Sequence, residues 1–161
     1  MLALRYAALL ALVVWVGGLV ILGAVVAPST FDVLGTTGAA GTHQAGTLFG
    51  EILRRFHLIT YGCGAVVLIS LITRAILGPR PRRFAIRLSL AAVMIAASGW
   101  VGVVVAPQIS SAQREIGAPM TSVPPHDPRR ETFERLHRLS SRLEMLPFFA
   151  GLALLFWEMK D

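Results

Sequence analysis

Residues Tyr6–Ala27, YAALLALVVWVGGLVILGAVVA, carry no charged side chain over 22 positions. A helix needs about 20 mostly apolar residues to cross a bilayer, so this stretch reads as a membrane span. A secretory leader is the competing reading, with Arg5 ahead of the run and Val25-Val26-Ala27 as a cleavage-like end. The apolar core of a leader is only ~7–15 residues, so a retained first helix is expected.

Three further runs follow. Leu58–Thr73 is apolar with small polar breaks, Leu88–Ala106 is a third run, and Met145–Trp157 a fourth. The last is short alone, but it continues a helical pattern that starts near Arg130. The chain has 161 residues, of which 55% are hydrophobic and 15% charged, against about 25% charged in a soluble domain. One all-α domain is expected, an integral membrane four-helix bundle with helices at about 2–27, 43–77, 84–106 and 129–159. Pro28 and Pro107 are expected to end the first and third helices, with a short interfacial helix over Gln108–Gly117 following the latter. Asp127-Pro128 reads as the cap and first position of the fourth. No internal repeat stands out.

The net charge of +6 does not point to nucleic acid, because of where the charges lie. Arg5, Arg74, Arg80, Arg82, Arg83, Arg87 and Lys160 gather at one end of the expected bundle, opposed there by Glu158 and Asp161. Lys/Arg excess in short loops marks the cytoplasmic side. A multi-pass protein of the cell membrane with both termini cytoplasmic follows. Arg80, Arg82, Arg83 and Arg87 are expected to anchor on lipid headgroups. The bilayer is the first partner; a homo-oligomer or a larger membrane complex are the further partner classes.

Polar side chains in apolar helices mark candidate sites. Taken at about 100° per residue, His137, Ser140, Ser141 and Glu144 share one face of the fourth helix. Arg135, Arg138 and Arg142 lie on the opposite face. His57, Thr60, Tyr61 and Gly64 share a face of the second helix. His57 and His137 are expected at similar depth toward the outer leaflet. Three functions stay open. The histidines are interhelical hydrogen bonders of a non-catalytic structural or accessory subunit. Alternatively they hold a haem or a transition metal such as copper, with Glu144, Ser140, Ser141 and Tyr61 supporting the ligands. A third reading is a small transporter, with Glu144 as its titrating group and Pro147 permitting a kink. Glu144 also suits a counterion for Arg54. The leading reading is the metal- or haem-binding one. Cys63 is the one cysteine, which excludes an internal disulfide and a cysteine-rich metal site. His43 and His126 fall in expected loops, and no motif spacing requires an enzyme.

Trp15-Val16-Gly17-Gly18, Ala27-Pro28-Ser29-Thr30-Phe31, Ala45-Gly46 with Phe49-Gly50 and Arg55-Phe56-His57, Ala106-Pro107, and Leu136-His137-Arg138-Leu139-Ser140-Ser141 occur in that order. In this order they resemble the transmembrane protein 205-like family, many bacterial members of which are known only as a domain of unknown function. The resemblance implies a four-helix membrane protein. More distantly, it implies kinship with copper resistance D-type proteins and a haem-pathway membrane oxidase family. Its eukaryotic members are associated with resistance to platinum drugs, which implies metal handling. That family often carries asparagine where Glu144 stands here.

Overall fold

The computed structural model describes residues 1–78, 80, 82–116, 123–124 and 126–160. Four helices fill it: α1 (Leu2–Gly35), α2 (Ala39–Leu77), α3 (Phe84–Ile116) and α4 (Pro128–Lys160). All four are long and apolar enough to cross a membrane, and no strand occurs among the described residues. The all-α, four-span architecture expected of the sequence is therefore the observed one. At ~1.5 Å per residue, α2 is about 58 Å long, well beyond the ~30 Å hydrocarbon thickness. Each of the four helices, at 33 to 39 residues, is longer than one crossing needs.

The helices pack as two antiparallel hairpins, α1 on α2 and α3 on α4, closed by α2–α3 and α1–α4 contacts. The core is a layer of Leu12 and Trp15 from α1, Val67 and Leu71 from α2, Ala91 and Met94 from α3, and Ala150 and Leu154 from α4. Large apolar side chains such as Val13, Ile21, Ile69, Val103 and Phe149 point outward, as expected where lipid is the solvent. Both chain ends lie at one end of the bundle, because Arg5 of α1 bonds the Glu158 carbonyl of α4.

Two helix ends differ from expectation for one physical reason. Neither Pro28 nor Pro107 stops its helix. Proline lacks an N–H, and its ring clashes with the carbonyl four residues back. Here the turn before each proline widens. Leu22–Val26 and Val101–Val105 are π-helical. The Ala27 N–H donates to the Leu22 carbonyl and the Ala106 N–H to the Val101 carbonyl, each five residues back. The wider turn makes room for the ring, so α1 runs on to Gly35 and α3 to Ile116. Helix α2 begins at Ala39, a turn before the expected start, on Gly38 with φ 84°.

These paired irregularities reveal a repeat that the sequence alone did not. Leu22-Gly23-Ala24-Val25-Val26-Ala27-Pro28 corresponds to Val101-Gly102-Val103-Val104-Val105-Ala106-Pro107. In the following helices, Glu51, Arg55, His57 and Thr60 correspond to Glu131, Arg135, His137 and Ser140. Burial keeps the same register. Leu12, Trp15 and Leu22 are buried, as are Ala91, Met94 and Val101; Thr60, Val67, Ser70 and Leu71 are buried, as are Ser140, Pro147, Ala150 and Gly151. The two hairpins are two versions of one pattern. They differ where it matters most: His57 is buried but His137 is exposed, and Gly64 of the first corresponds to Glu144 of the second.

Candidate functional site

His57 sits on the buried face of α2, 3% exposed. Its Nδ1 lies 2.9 Å from the Leu53 carbonyl oxygen, one turn back. Its Nε2 lies 3.1 Å from Glu144 Oε1 on α4. A carbonyl oxygen only accepts, so Nδ1 carries hydrogen and donates to Leu53. That assignment fixes the chemistry at the other nitrogen. If Nε2 is protonated, the ring is an imidazolium facing the Glu144 carboxylate. If Nε2 is bare, Glu144 must be the neutral acid that donates to it. Either way the bond between Nε2 and Oε1 uses one hydrogen, supplied by whichever of the two atoms carries it.

Helix α3 closes the site. A Cβ on Gly102 would collide with Tyr61 Oη and stand 3.2 Å from His57 Cγ. Only glycine permits this approach, and Gly102 lies in the π-helical turn that precedes Pro107. Tyr61, half-buried one turn after His57, tilts toward it with ring centroids 6.2 Å apart. The Thr60 hydroxyl donates to the His57 carbonyl at 2.9 Å. Ser140 is buried one turn before Glu144, whereas Ser141 is exposed and its hydroxyl donates to the His137 carbonyl.

The structure thus brings together His57, Tyr61 and Glu144, with Ser140 nearby. It does not bring His137 to His57. His137 precedes Glu144 by two turns, roughly 10 Å along the axis. Its ring is exposed and stacks on Phe133, centroids 6.1 Å apart and nearly parallel. Arg54 is not the counterion of Glu144, since it pairs with Glu51 at 2.7 Å. Among the described residues, no group of three or more His, Cys, Asp or Glu side chains is placed to hold a metal ion. His43 is half-buried and His126 exposed, and neither belongs to the His57 site.

A second buried polar cluster lies at the end where the termini meet. Glu158 of α4, 1% exposed, receives Arg74 Nη1 of α2 at 2.7 Å and Arg87 Nη1 of α3 at 2.8 Å. Arg87 Nη2 donates to the Trp157 carbonyl at 2.9 Å. Arg5 of α1 donates to the Glu158 carbonyl at 2.7 Å. One stretch of α4 therefore ties all four helices. This corrects the expectation for Arg87: it is fully buried in an ion pair, not on a headgroup. Arg80, Arg82 and Arg83 are exposed. The signal for the cluster was present in the sequence. Arg74 follows Val67 and Leu71 at helical spacing, Arg87 precedes Ala91 and Met94, and Glu158 follows Gly151 and Leu154. Each charge is in register with a buried stripe.

A family model described as a domain of unknown function, DUF4149, matches residues 10–118, more than half of the chain. The match takes in His57, Tyr61, Arg74, Arg87 and Gly102, while Glu144 and Glu158 lie beyond it. No curated protein and no solved structure matches the chain. Nothing in these matches supports the narrower kinship to transmembrane protein 205-like or copper resistance D-type proteins.

Proposed function

We propose that this chain, which belongs to the DUF4149 family, binds and releases a proton at the His57–Glu144 pair and acts as a small proton-coupled membrane carrier. The observation that carries this is the commitment of Nδ1 to Leu53, which leaves one proton between Nε2 and Oε1. Ionisable groups inside a membrane bundle are costly, and paired His and Glu mark proton relays. Take the proton away and two acceptors face each other 3.1 Å apart, an arrangement that a cation repairs. Exchange of a proton for another cation is the chemistry that such a pair favours. The arginine-rich end, with both termini, is assigned to the cytoplasm by the excess of Lys and Arg there.

Proteoliposomes with an internal pH dye test this. Proton flux should be lost in Glu144→Gln and His57→Ala and retained in His137→Ala. Wild-type flux in Glu144→Gln would overturn the carrier reading. Absence of flux in the wild type, with a partner protein co-purifying, would support the accessory-subunit reading instead.

The donor atoms themselves favour a second reading. A deprotonated Nε2 and a carboxylate oxygen are both ligands for a transition metal such as copper. Such an ion would take the place of the shared proton, so its binding should release protons and vanish in His57→Ala. A haem between His57 and His137 would require His57 to leave Glu144 and His137 to turn from Phe133, and we do not extend the proposal to it.

A further inference from the structure

We propose that Arg83 and Lys160, both held at Trp157, together with the exposed Arg80 and Arg82 that precede Arg83 in the chain, form a binding site for the phosphate of an anionic phospholipid headgroup. The inference is independent of the His57–Glu144 reading. The cations at this end of the bundle divide into two sets. Arg74 and Arg87 turn inward onto Glu158, and Arg5 holds the last carbonyls of α4. Arg80, Arg82, Arg83 and Lys160 are all exposed, and the one acid described at this end, Glu158, is buried beneath them. Among the described residues the exposed charges of this patch are therefore all cationic.

Trp157 organises it. The Arg83 guanidinium carbon lies 4.4 Å from the Trp157 ring centroid, and Lys160 Nζ lies 5.8 Å from it. Lys160 Nζ is also 5.7 Å from the Phe156 ring. Aromatic faces attract cations at these distances. Arg83 adopts φ 54°, a left-handed conformation uncommon outside glycine. The two cations share one indole.

The surroundings select a lipid over free phosphate. Phe156, 58% exposed, lies by Lys160, and Ile76, Leu77 and Met159, exposed by 74%, 69% and 73%, are near Arg80 and Lys160 in the chain. A free anion gains nothing from that apolar surface. A phospholipid places its phosphate at the cations and its acyl chains along these side chains. Its headgroup must be anionic overall, since a zwitterionic one brings its own cation to a cationic patch.

The test uses the full chain in a mild detergent, titrated with short-chain phosphatidylglycerol, short-chain phosphatidylcholine or inorganic phosphate, with tryptophan fluorescence as readout. A saturable change with phosphatidylglycerol is expected, lost in Trp157→Phe. The apparent Kd should weaken about tenfold or more in Arg80→Gln/Arg82→Gln/Lys160→Gln. Lys160→Gln alone, at an exposed position, should weaken it by a smaller factor and guards against misfolding of the triple variant. An equal response to phosphatidylcholine, or wild-type affinity in the triple variant, would overturn the site. The same response to inorganic phosphate would overturn the lipid as its ligand.

Discussion

Arg87 Nη1 stands 2.8 Å from Glu158 Oε1, with the two side chains 0% and 1% exposed. Arg74 approaches the other oxygen of the same carboxylate at 2.7 Å. Burying such charges costs desolvation free energy that the attraction only partly offsets, yet removing one partner strands the rest. The value of the cluster lies in fixing how α2, α3 and α4 meet.

Glu158→Gln should therefore destabilise the bundle by about 3–5 kcal/mol, the cost of leaving buried guanidiniums uncompensated. Thermal unfolding in detergent measures it. A midpoint equal to wild type would show that the carboxylate is not the tie between these helices.

The repeat makes a paired prediction. Gly102 and Gly23 occupy corresponding positions in the two π-helical turns. A Cβ on Gly102 strikes Tyr61 Oη, whereas a Cβ on Gly23 meets nothing within 4 Å. Gly102→Ala should cost about 1–3 kcal/mol through overpacking. Gly23→Ala should be neutral or slightly stabilising, since alanine is the better helix former. Equal effects in melting experiments would mean that the close approach of α3 to His57 is not real.

Asp127 gives a prediction in pH. Its Oδ1 accepts the Arg129 N–H at 2.8 Å, and its carboxylate also holds the Arg129 guanidinium. The Arg129 side chain, then its backbone N–H, keep the Asp127 carboxyl below the ordinary aspartate range. A depressed value means that the contribution of this cap is fully present above ~3.9 and fades as pH falls through the folded value. The Arg129 amide resonance should shift with pH only below that range. A midpoint at or above it would contradict the cap.

Hydropathy made the four spans legible, because lipid forces apolar side chains outward along their whole length. Asp127-Pro128 was legible as a helix start, because capping is a local property of two residues. The unbroken continuation through Pro28 and Pro107 was not, although helix over Gln108–Gly117 was expected. A proline normally ends or kinks a helix, and the π turn that absorbs it is a backbone adjustment with no side-chain signature. At the site, His57, Tyr61 and Glu144 were legible as polar residues on helix faces. Their grouping was expected only as support for a His57–His137 pair; the partner of His57 was not legible, because face angles say nothing about how far one helix slides along another. That slide sets Glu144, not His137, opposite His57. The Arg–Glu cluster was overlooked because arginines near a helix end are usually read as reaching for water or phosphate. The stripe register of Arg87 with Ala91 and Met94 argued for the interior.

The two histidines should part company in a stability experiment. His137 is exposed and touches Phe133, so His137→Ala should change stability by no more than about 0.5 kcal/mol. His57→Ala deprives buried groups of their partner and should cost about 1–3 kcal/mol. Comparable losses in both variants would restore His137 to a structural role.

The central claim is that His57 Nε2 and Glu144 Oε1 are hydrogen-bonded across α2 and α4, and infrared difference spectroscopy between wild type and variants tests it most directly. The account predicts a carboxyl band that disappears in Glu144→Gln, changes frequency in His57→Ala and is untouched in His137→Ala. A Glu144 band identical with and without the His57 imidazole would contradict it.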